Sequence, residues 1–395
     1  MSYLHMLKFI RQHKIEFAVF FVAVLVRLIF FFICLYANGG NIETTVRGQD
    51  GYFEISRNLL LGNGFSINPT PPFFKYSYGV PGYPFFLFFL LWVTQSYAAT
   101  AMIQLLLGSL IPLIGMRLTR LAAPSLNRAP LVVGILLALA PYQILFSFIF
   151  YTETLFTLLF GIFLILFLNF LKTPSIRFAI WAGLFLGLAT LTKPTVQYLV
   201  IIAPVFALWH FRGNLRKDIW LKLGCFISLF FIVLSPWLYR NYQVFNMINL
   251  GSQMPFNLYE VLLPSVLAIE NQTSFASEQQ KLPLKAADIF FNTPKSISQE
   301  ALVEISHHPV ALIKLSMLNA FTFFTHDGML TFLQAAGIKP DTYLQKPALL
   351  MFFSEPVQFA KTIWLYLDTP MAFVFFARLF WIVVTIFFGL GLYNL

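Results

Sequence analysis

Long apolar runs separated by short polar intervals make up most of the chain. A helix rises about 1.5 Å per residue, so about 20 apolar residues suffice to cross the roughly 30 Å hydrocarbon core of a bilayer. The apolar runs therefore predict membrane-spanning helices over residues 15–37, 97–116, 129–150, 152–171, 178–192, 195–211, 219–238 and 370–391.

Three further segments have helical patterns that differ from those of the long spans. Residues 83–93 are too short to cross, and the basic clusters leave room for only one crossing between the first long loop and Arg117, so we expect an interfacial or half-inserted helix there. Residues 298–306 are amphipathic. Residues 309–324 are apolar enough to lie in the interface, and a crossing stays open because the segment is only about 16 residues long.

Two longer polar intervals divide the chain into candidate domains. We expect an N-terminal transmembrane catalytic module over residues 1–241, which includes a first outer loop at 38–97. A large extracytoplasmic loop with amphipathic helices would occupy 242–369, and a last transmembrane helix 370–395. Because the chain stops soon after this last apolar run, we expect a truncated or minimal form.

The composition fits a membrane protein. Hydrophobic residues make up 58% of the chain and charged residues 11%, with a mean hydropathy of +0.76, whereas soluble domains are nearer half apolar and a quarter charged. The net charge of +10 comes mainly from short basic clusters between spans, which is typical of cytoplasmic loops that face anionic lipid rather than of a nucleic-acid-binding surface. The predicted fold is an all-α polytopic transmembrane helix bundle with interfacial helices in two large extracytoplasmic loops.

Basic residues and cysteines give the expected orientation and redox state. Lys8, Arg11 and Lys14 precede the first span, so the N-terminus is predicted to be cytoplasmic and the first long loop to lie outside. Cys34 and Cys225 both lie in apolar segments, which favours two buried thiols over a disulfide.

Carboxylates stand at the predicted outer ends of several spans. Asp50 and Glu54 have i, i+4 spacing, so a helix that starts near Asp50 and ends at Gly62 and Gly64 would place both on one face. Ordinary surface carboxylates in a connector are the alternative. Glu153 falls in a tight outer turn between two spans, where it could serve a polar site or simply cap the helix that follows.

Cations stand at two other outer ends. Lys193 closes one span and could hold a phosphate or extend to lipid headgroups, and Arg240 lies on the side that the positive-inside rule disfavours. Arg27, inside the first span, is predicted to snorkel or to pack against another helix. The acids and cations together suit a phosphate-bearing lipid donor, with cations on its phosphate and an acid near the attacking hydroxyl.

The sequence offers little for other chemistries. It contains no P-loop, no dinucleotide fingerprint and no serine-nucleophile elbow. His307, His308 and His326 lack metal-ligand spacing and are expected at the surface, with metal binding beside a loop carboxylate as the alternative.

Several short motifs carry a resemblance to a known superfamily. They are DGYFEISRNLLLGNGFS (50–66), PGYP (81–84), TETLF (152–156), GLATLTKPT (187–195), PWLYRNY (236–242) and HP (308–309). In this order and spacing, over most of residues 10–325, they resemble the GT-C superfamily of polyprenyl-phosphate-sugar-dependent glycosyltransferases. The more specific likeness is to the bacterial branch related to dolichyl-phosphate-mannose protein mannosyltransferases and lipid A aminoarabinose transferases.

The resemblance implies an inner-membrane enzyme that moves one sugar, with inversion, from a polyprenyl-phosphate carrier to an acceptor hydroxyl at the extracytoplasmic face. It implies that Asp50 is the general base or acceptor-orienting acid, with Glu153 and Glu54 as further acids. Lys193 and Arg240 would steady the donor phosphate. The residues implied to contact substrate are Tyr52, Lys75, Tyr83, Lys193, Arg240 and Asn241.

The chain departs from the family pattern in two places. Gly79 and Val80 stand where the family often has an arginine, with Lys75 the nearest cation, and the chain ends several spans earlier than most relatives. Some relatives use a divalent metal and others do not, so the metal stays open, and no other cofactor is expected.

The expected partners are the polyprenyl-phosphate sugar donor, membrane lipids, and a lipid, glycan or protein acceptor, without nucleic acid. A transporter or flippase of lipid-linked saccharides is the rival function. It would place polar residues deep within spans and broken helices near the midplane.

Overall fold

The computed structural model describes residues 13–213, 216–283, 294–325, 328–338, 355–367 and 369–393, and every regular element in these ranges is helical. The all-α prediction is confirmed for this part of the chain. Five helices in it are long and apolar enough to cross a membrane: Lys14–Ala37, Tyr97–Ala122, Glu153–Lys172, Lys217–Phe245 and Met371–Gly391. The protein is therefore a helical membrane protein.

The chain forms two compact units, Met1–Gly251 and Ser252–Leu395. The helices of the first unit are α1 (Lys14–Ala37), α2 (Ile42–Val46), α3 (Tyr52–Leu60), α4 (Gly82–Thr94), α5 (Tyr97–Gly108), α6 (Ile111–Ala122), α7 (Ala129–Leu139), α8 (Pro141–Leu145), α9 (Glu153–Lys172), α10 (Ile176–Thr192), a 3₁₀ turn (Pro194–Val196), α11 (Leu199–His210) and α12 (Lys217–Phe245).

Side-chain caps explain several of the helix starts. The Asn41 side chain accepts from the Thr44 amide at 3.0 Å to begin α2, and Ser96 and Ser175 accept from amides in the first turns of α5 and α10. Such caps pair amides that the helix itself leaves without an acceptor. Asn and Ser at these positions therefore fix where the apolar segments start.

The predicted span 129–150 is wrong as one continuous helix. Helix α7 ends at Leu139, and Ala140 takes an extended conformation before Pro141, which lacks an amide hydrogen and disfavours a helical residue before it. The segment after the break forms only the short helix α8 and an irregular stretch that leads to α9.

Arg27 lies at this break. Its side chain is fully buried and donates to the carbonyls of Ala23 at 3.1 Å and Ala138 at 3.2 Å. The second bond reaches the last turn of α7, where helix carbonyls lack helical partners and carry partial negative charge. Of the two predicted arrangements, packing against another helix is confirmed for Arg27.

Helix α12 continues beyond the predicted end of the span at 238, through Pro236 to Phe245. A proline inside a helix leaves the carbonyl four residues earlier without its usual donor. Here the Ser235 hydroxyl donates to that carbonyl, Ile232 O, at 2.9 Å. The hydroxyl thus replaces the missing backbone bond and lets the helix continue.

Close packing of α10 against α9 and α12 forms the core of the first unit. A Cβ on Gly183 would lie 2.3 Å from the Phe226 carbonyl oxygen, and one on Gly187 would lie 2.9 Å from the Val233 Cβ. Glycine at these positions lets the backbones of the two helices approach, as is common between membrane helices.

The helices of the second unit follow in order along the chain. They are α13 (Gln253–Phe256), a π-helical turn (Asn257–Leu262), α14 (Leu263–Glu270), α15 (Phe275–Lys281), α16 (Pro294–Ser306), α17 (Pro309–Thr325), α18 (Met329–Ala335), α19 (Pro356–Leu367) and α20 (Met371–Tyr393). Helices α16, α17 and α20 confirm the helices predicted at 298–306, 309–324 and 370–391.

Candidate functional site

The loop at residues 47–51, here called the Asp50 loop, is attached to the segment before α9. The Phe150 amide donates to the Val46 carbonyl at 2.7 Å, and the Gln49 amide donates to the Tyr151 hydroxyl at 2.9 Å. These bonds join parts of the chain that are far apart in sequence. They carry Asp50 to the N-terminal end of α9.

The backbone of the Asp50 loop depends on Gly51. Its φ is +76°, and a Cβ there would lie 2.2 Å from the Ile67 Cδ1, so only glycine fits without strain or displacement. Helix α3 begins after it, at Tyr52. Asp50 is therefore outside the helix.

The predicted common helix face of Asp50 and Glu54 is wrong, because the left-handed Gly51 separates the two carboxylates. Glu54 instead forms an ion pair with Arg47, whose Nε donates to Glu54 Oε1 at 2.8 Å. Arg47 also lies 3.8 Å from Glu43 and packs on the Phe53 ring. The predicted catalytic role of Glu54 stays a prediction.

Glu153 and Lys193 form an ion pair next to Asp50. Lys193 Nζ lies 3.1 Å from Glu153 Oε1, and the Thr152 hydroxyl donates to Glu153 Oε2 at 3.3 Å. Glu153 is the first residue of α9, and Lys193 directly follows the last residue of α10. The predicted cap is wrong, because Thr152 occupies the N-cap position and no side chain caps this helix, although both charges are favourable at those helix ends.

The electrostatic surroundings of Asp50 raise the pKa of its carboxyl group. Partial desolvation contributes most and repulsion from Glu153 comes next, while the positive charge of Lys193 acts in the opposite direction. Asp50, Glu153 and Lys193 thus form one cluster of interacting charges. Three separate parts of the sequence supply it.

Four tyrosines lie near enough to Asp50 for its charge to affect them. Burial, and then the negative charge of Asp50 together with neighbouring groups, raises the pKa of four tyrosines, so their hydroxyls stay protonated hydrogen-bond donors. The four are Tyr52, Tyr76, Tyr78 and Tyr151. Aromatic faces with phenol donors beside carboxylates form a suitable environment for a hydroxyl-rich ligand.

Gln104 organises the segment that precedes Glu153. Its side chain is fully buried, donates to the carbonyls of Ile149 at 2.7 Å and Phe146 at 3.3 Å, and accepts from the Tyr83 hydroxyl at 2.7 Å. The Thr154 hydroxyl donates to the same Phe146 carbonyl at 2.7 Å. Side chains therefore satisfy the carbonyls of the non-helical stretch and hold α9 at its start.

Arg240 and Asn241 lie on α12, where both contact the protein itself. The Arg240 guanidinium stacks 4.6 Å from the Trp237 ring centroid and donates to the Tyr76 carbonyl at 3.2 Å. It also donates to Asn241, whose side-chain amide donates to the Asn249 carbonyl at 2.8 Å. Their predicted substrate contacts stay predictions.

The remaining predicted substrate residues differ in burial. Lys75 is exposed, whereas Tyr52 and Tyr83 are buried and pack edge to face with ring centroids 5.5 Å apart. Tyr52 is one of the four tyrosines near Asp50, while the Tyr83 hydroxyl is bonded to Gln104. The substrate contacts predicted for these three residues also stay predictions.

The predicted metal alternative has no arrangement to support it in the described ranges. Within them, no group of three or more His, Cys, Asp or Glu side chains could hold a metal ion. The two ring nitrogens of His308 lie 3.9 Å from Glu270 and 3.6 Å from Glu304, and His307 also contacts Glu304. His326 lies outside the described residues.

No known family model and no curated protein matches this sequence. The resemblance to GT-C enzymes therefore rests on the motifs alone.

Sequence reasoning missed several residues of this region, namely Arg47, Tyr76, Tyr78, Gln104 and Tyr151. A signal existed for Gln104, because a long polar side chain inside an apolar span needs a partner. Tyr76 and Tyr78 stand in the proline-rich return segment, where the chain direction cannot be read from periodicity. The electrostatic effect of Asp50 on both phenols shows that the folded chain brings them near it.

Proposed function

We propose that the protein is a membrane glycosyltransferase of the GT-C type. It moves one sugar from a polyprenyl-phosphate donor to an acceptor hydroxyl at the extracytoplasmic face of the inner membrane. The observation that supports this most strongly is the cluster of Asp50, Glu153 and Lys193, which interact although they come from different parts of the chain.

The proposed reaction is a single displacement at the anomeric carbon. The acceptor oxygen forms the new bond to that carbon while the bond from the carbon to the phosphate oxygen breaks. The electron pair of that bond remains on the polyprenyl phosphate, and Asp50 accepts the proton from the acceptor hydroxyl. A raised pKa suits Asp50 to this task, since it makes the ionised carboxylate a stronger base.

Lys193 has the chemistry to hold the donor phosphate. It is only partly buried, with 38% of its side chain exposed, and its positive charge acts to lower the pKa of Asp50. A cation at this place neutralises the charge that the leaving phosphate gains. Glu153 orients the lysine, and Tyr52, Tyr76, Tyr78 and Tyr151 offer phenols to the sugar.

A transporter or flippase of lipid-linked saccharides is the second candidate. The break between α7 and α8 and the buried Arg27 favour it, since transporters bind substrate at broken helices. However, Arg27 and Gln104 donate to backbone carbonyls beside the break, which is a structural use of both side chains. The charge cluster around Asp50 therefore favours the enzyme.

The test is sugar transfer by the purified full chain in proteoliposomes. A panel of polyprenyl-phosphate hexoses and pentoses is incubated with an extract of envelope glycolipids and glycans, and mass spectrometry identifies products that gain one sugar. We expect transfer by the wild-type protein and a loss of at least about a hundredfold in Asp50→Asn, which keeps the shape of the side chain but cannot accept the proton.

Asp218→Asn is the matched control, because Asp218 forms ion pairs with Lys222 and Arg216 and has no part in the charge cluster. It should transfer sugar at the wild-type rate. Asp50→Asn with full activity would overturn the assignment of Asp50. Movement of the donor across the bilayer without any transferred sugar would favour the transporter.

A further inference from the structure

A hollow of about 750 Å³ lies beside the Asp50 loop. Its polar lining comes from α2, the loop and α3, namely Asn41, Glu43, Thr44, Arg47, Gln49 and Glu54. Its volume is within the range of sites that hold small ligands.

The charges in this hollow sum to −1. Arg47 is the cation, and both Glu54, at 2.8 Å from its Nε, and Glu43, at 3.8 Å, already face it. The positive charge is therefore compensated, and one carboxylate charge is left over. A ligand with a phosphate or carboxylate would meet net repulsion here, whereas a neutral or amino-bearing ligand would not.

One acceptor atom in the hollow lining has no internal partner. Glu54 Oε2 is buried and has no hydrogen-bond partner among the residues that the structure describes. Buried carboxylate oxygens normally accept hydrogen bonds, so Glu54 has an unused acceptor, which a rotation of its side chain would turn toward a ligand in the hollow. A sugar hydroxyl or amine is a suitable donor. The side-chain amides of Asn41 and Gln49 and the Thr44 hydroxyl are further groups in the lining that can form hydrogen bonds with a sugar.

The hollow and the charge cluster share the Asp50 loop. Gln49 and Gly51, on both sides of Asp50, line the hollow, while the Asp50 carboxylate interacts with Glu153 and Lys193. Asp50 itself does not line the hollow, so an acceptor held there must extend past Gln49 and Gly51 to reach the proposed base. The proposed function assigns the donor phosphate to Lys193, which does not line this hollow.

We propose that this hollow binds the acceptor, and that the acceptor part it holds is a saccharide without phosphate or carboxylate groups. The inference rests on the proposed glycosyltransferase function and adds the chemical class of the acceptor. Glu54 would accept from a sugar hydroxyl or amino group, and Glu43 would exclude anionic sugars.

The first experiment measures binding without catalysis. The full chain in nanodiscs is titrated with N,N′-diacetylchitobiose as the neutral probe, with the chitosan disaccharide as the amino probe, and with glucose 1-phosphate as the anionic probe. We expect the first two to bind and to shift the thermal unfolding temperature upward, and glucose 1-phosphate to give no shift. Binding of the anionic probe alone, or of a basic peptide but neither disaccharide, would overturn the proposal.

The second experiment changes the charge of the hollow. Glu54→Gln should weaken binding of the neutral disaccharide about tenfold, because the acceptor loses its charge and one of its two oxygens becomes an NH2 donor. Glu43→Lys raises the net charge of the hollow and should allow glucose 1-phosphate to bind. Glu54→Gln could unfold the protein. In that case Glu43→Gln and Glu43→Lys, at a half-exposed position, still test whether the negative charge of the hollow excludes anionic ligands.

Failure of this inference differs from failure of the proposed function. If Asp50→Asn abolishes transfer while the Glu43 and Glu54 variants leave acceptor KM within about twofold of wild type, the enzyme stands and the hollow is not its acceptor site. If Asp50→Asn keeps full transfer, the proposed function itself is wrong. Asp218→Asn serves as the control in both experiments.

Discussion

Lys193 Nζ lies 3.1 Å from Glu153 Oε1, although the two residues are 40 positions apart in the sequence. Each charge stands at the helix end that favours it, the carboxylate at the start of α9 and the ammonium after the last turn of α10. About a third of each side chain is exposed, 38% for Lys193 and 31% for Glu153. A partly exposed pair adds little to stability, so its placement beside Asp50 is the more informative property.

Lys193→Met should separate function from stability. We expect sugar transfer to fall about a hundredfold, because the donor phosphate loses its counter-charge. The free energy of unfolding should change by only about 0–1 kcal/mol, since solvent screens the ion pair. Transfer kinetics and denaturant unfolding of the same preparation measure both effects.

Lys222→Met is the control for that variant. Lys222 also pairs with a carboxylate, Asp218 at 2.7 Å, but in a different part of the first unit. It should leave transfer unchanged. A Lys193→Met protein that is strongly destabilised yet fully active would contradict the proposed role.

The pH dependence of transfer should report the charge cluster. Asp50 must be ionised to accept a proton, and desolvation and Glu153 raise its pKa above the ordinary value of 3.8. Activity should therefore fall as the pH is lowered through that raised pKa. Glu153→Gln removes repulsion and should move the acid limb to lower pH, whereas Lys193→Met removes attraction and should move it to higher pH.

The measurement is kcat/KM as a function of pH, whose acid limb reports groups of the free enzyme. The position of the limb is compared rather than the maximal rate, because Lys193→Met also lowers the rate. Shifts in the same direction for both variants would show that Asp50 is not the titrating group. Asp218→Asn should leave the limb in place.

The sequence was sufficient for several helices and for the positions of two charged residues at their ends. Apolar runs with end signals predicted α1, α9 and α10 closely, and so placed Glu153 and Lys193 at helix ends. The sequence was insufficient where a single backbone φ angle determines the direction of the chain. Gly51 in the left-handed region turns Asp50 away from the face of α3, and i, i+4 spacing carries no information about that turn.

The break at 139–141 shows a second limit. Apolar residues dominate 129–150, so the apolar run alone predicts one helix, although Pro141 is a local signal against it. A broken helix in a membrane protein is stable only if its carbonyls find donors. Those donors, Arg27 and Gln104, belong to other helices, and their contacts follow from tertiary packing rather than from the local sequence.

Gln104→Leu should damage both stability and activity. It leaves the Ile149 carbonyl and the Tyr83 hydroxyl without their buried partner, which we expect to cost about 2–4 kcal/mol of unfolding free energy. Because Glu153 follows this segment, kcat should also fall in protein that remains folded. Gln143→Leu is the control, since Gln143 is half-buried and its side chain makes no hydrogen bond among the described residues. Equal effects of the two variants would contradict the role of Gln104.

Arg240→Lys tests whether the arginine binds phosphate or supports Tyr76. The guanidinium stacks on Trp237, Phe65 and Phe245, with ring centroids at 4.6, 5.4 and 4.9 Å, and bonds to the Tyr76 carbonyl. Lysine keeps the charge but not the planar stacking. We expect a loss of about 1–2 kcal/mol in stability and a lower kcat, with donor KM within about twofold. A large rise in donor KM at unchanged stability would assign Arg240 to the phosphate.

Gly183→Ala tests the packing that holds α10, and with it Lys193, in place. The added Cβ would lie 2.3 Å from the Phe226 carbonyl oxygen, so the backbones of α10 and α12 must separate. We expect a loss of about 2 kcal/mol or more, because the obstacle is backbone rather than a movable side chain. Gly224→Ala on α12 is the matched control, since its Cβ meets no atom within 4 Å and alanine favours a helix by up to about 1 kcal/mol. Thermal unfolding in detergent compares them, and a Gly183→Ala protein as stable as Gly224→Ala would show that α10 and α12 are not packed this closely.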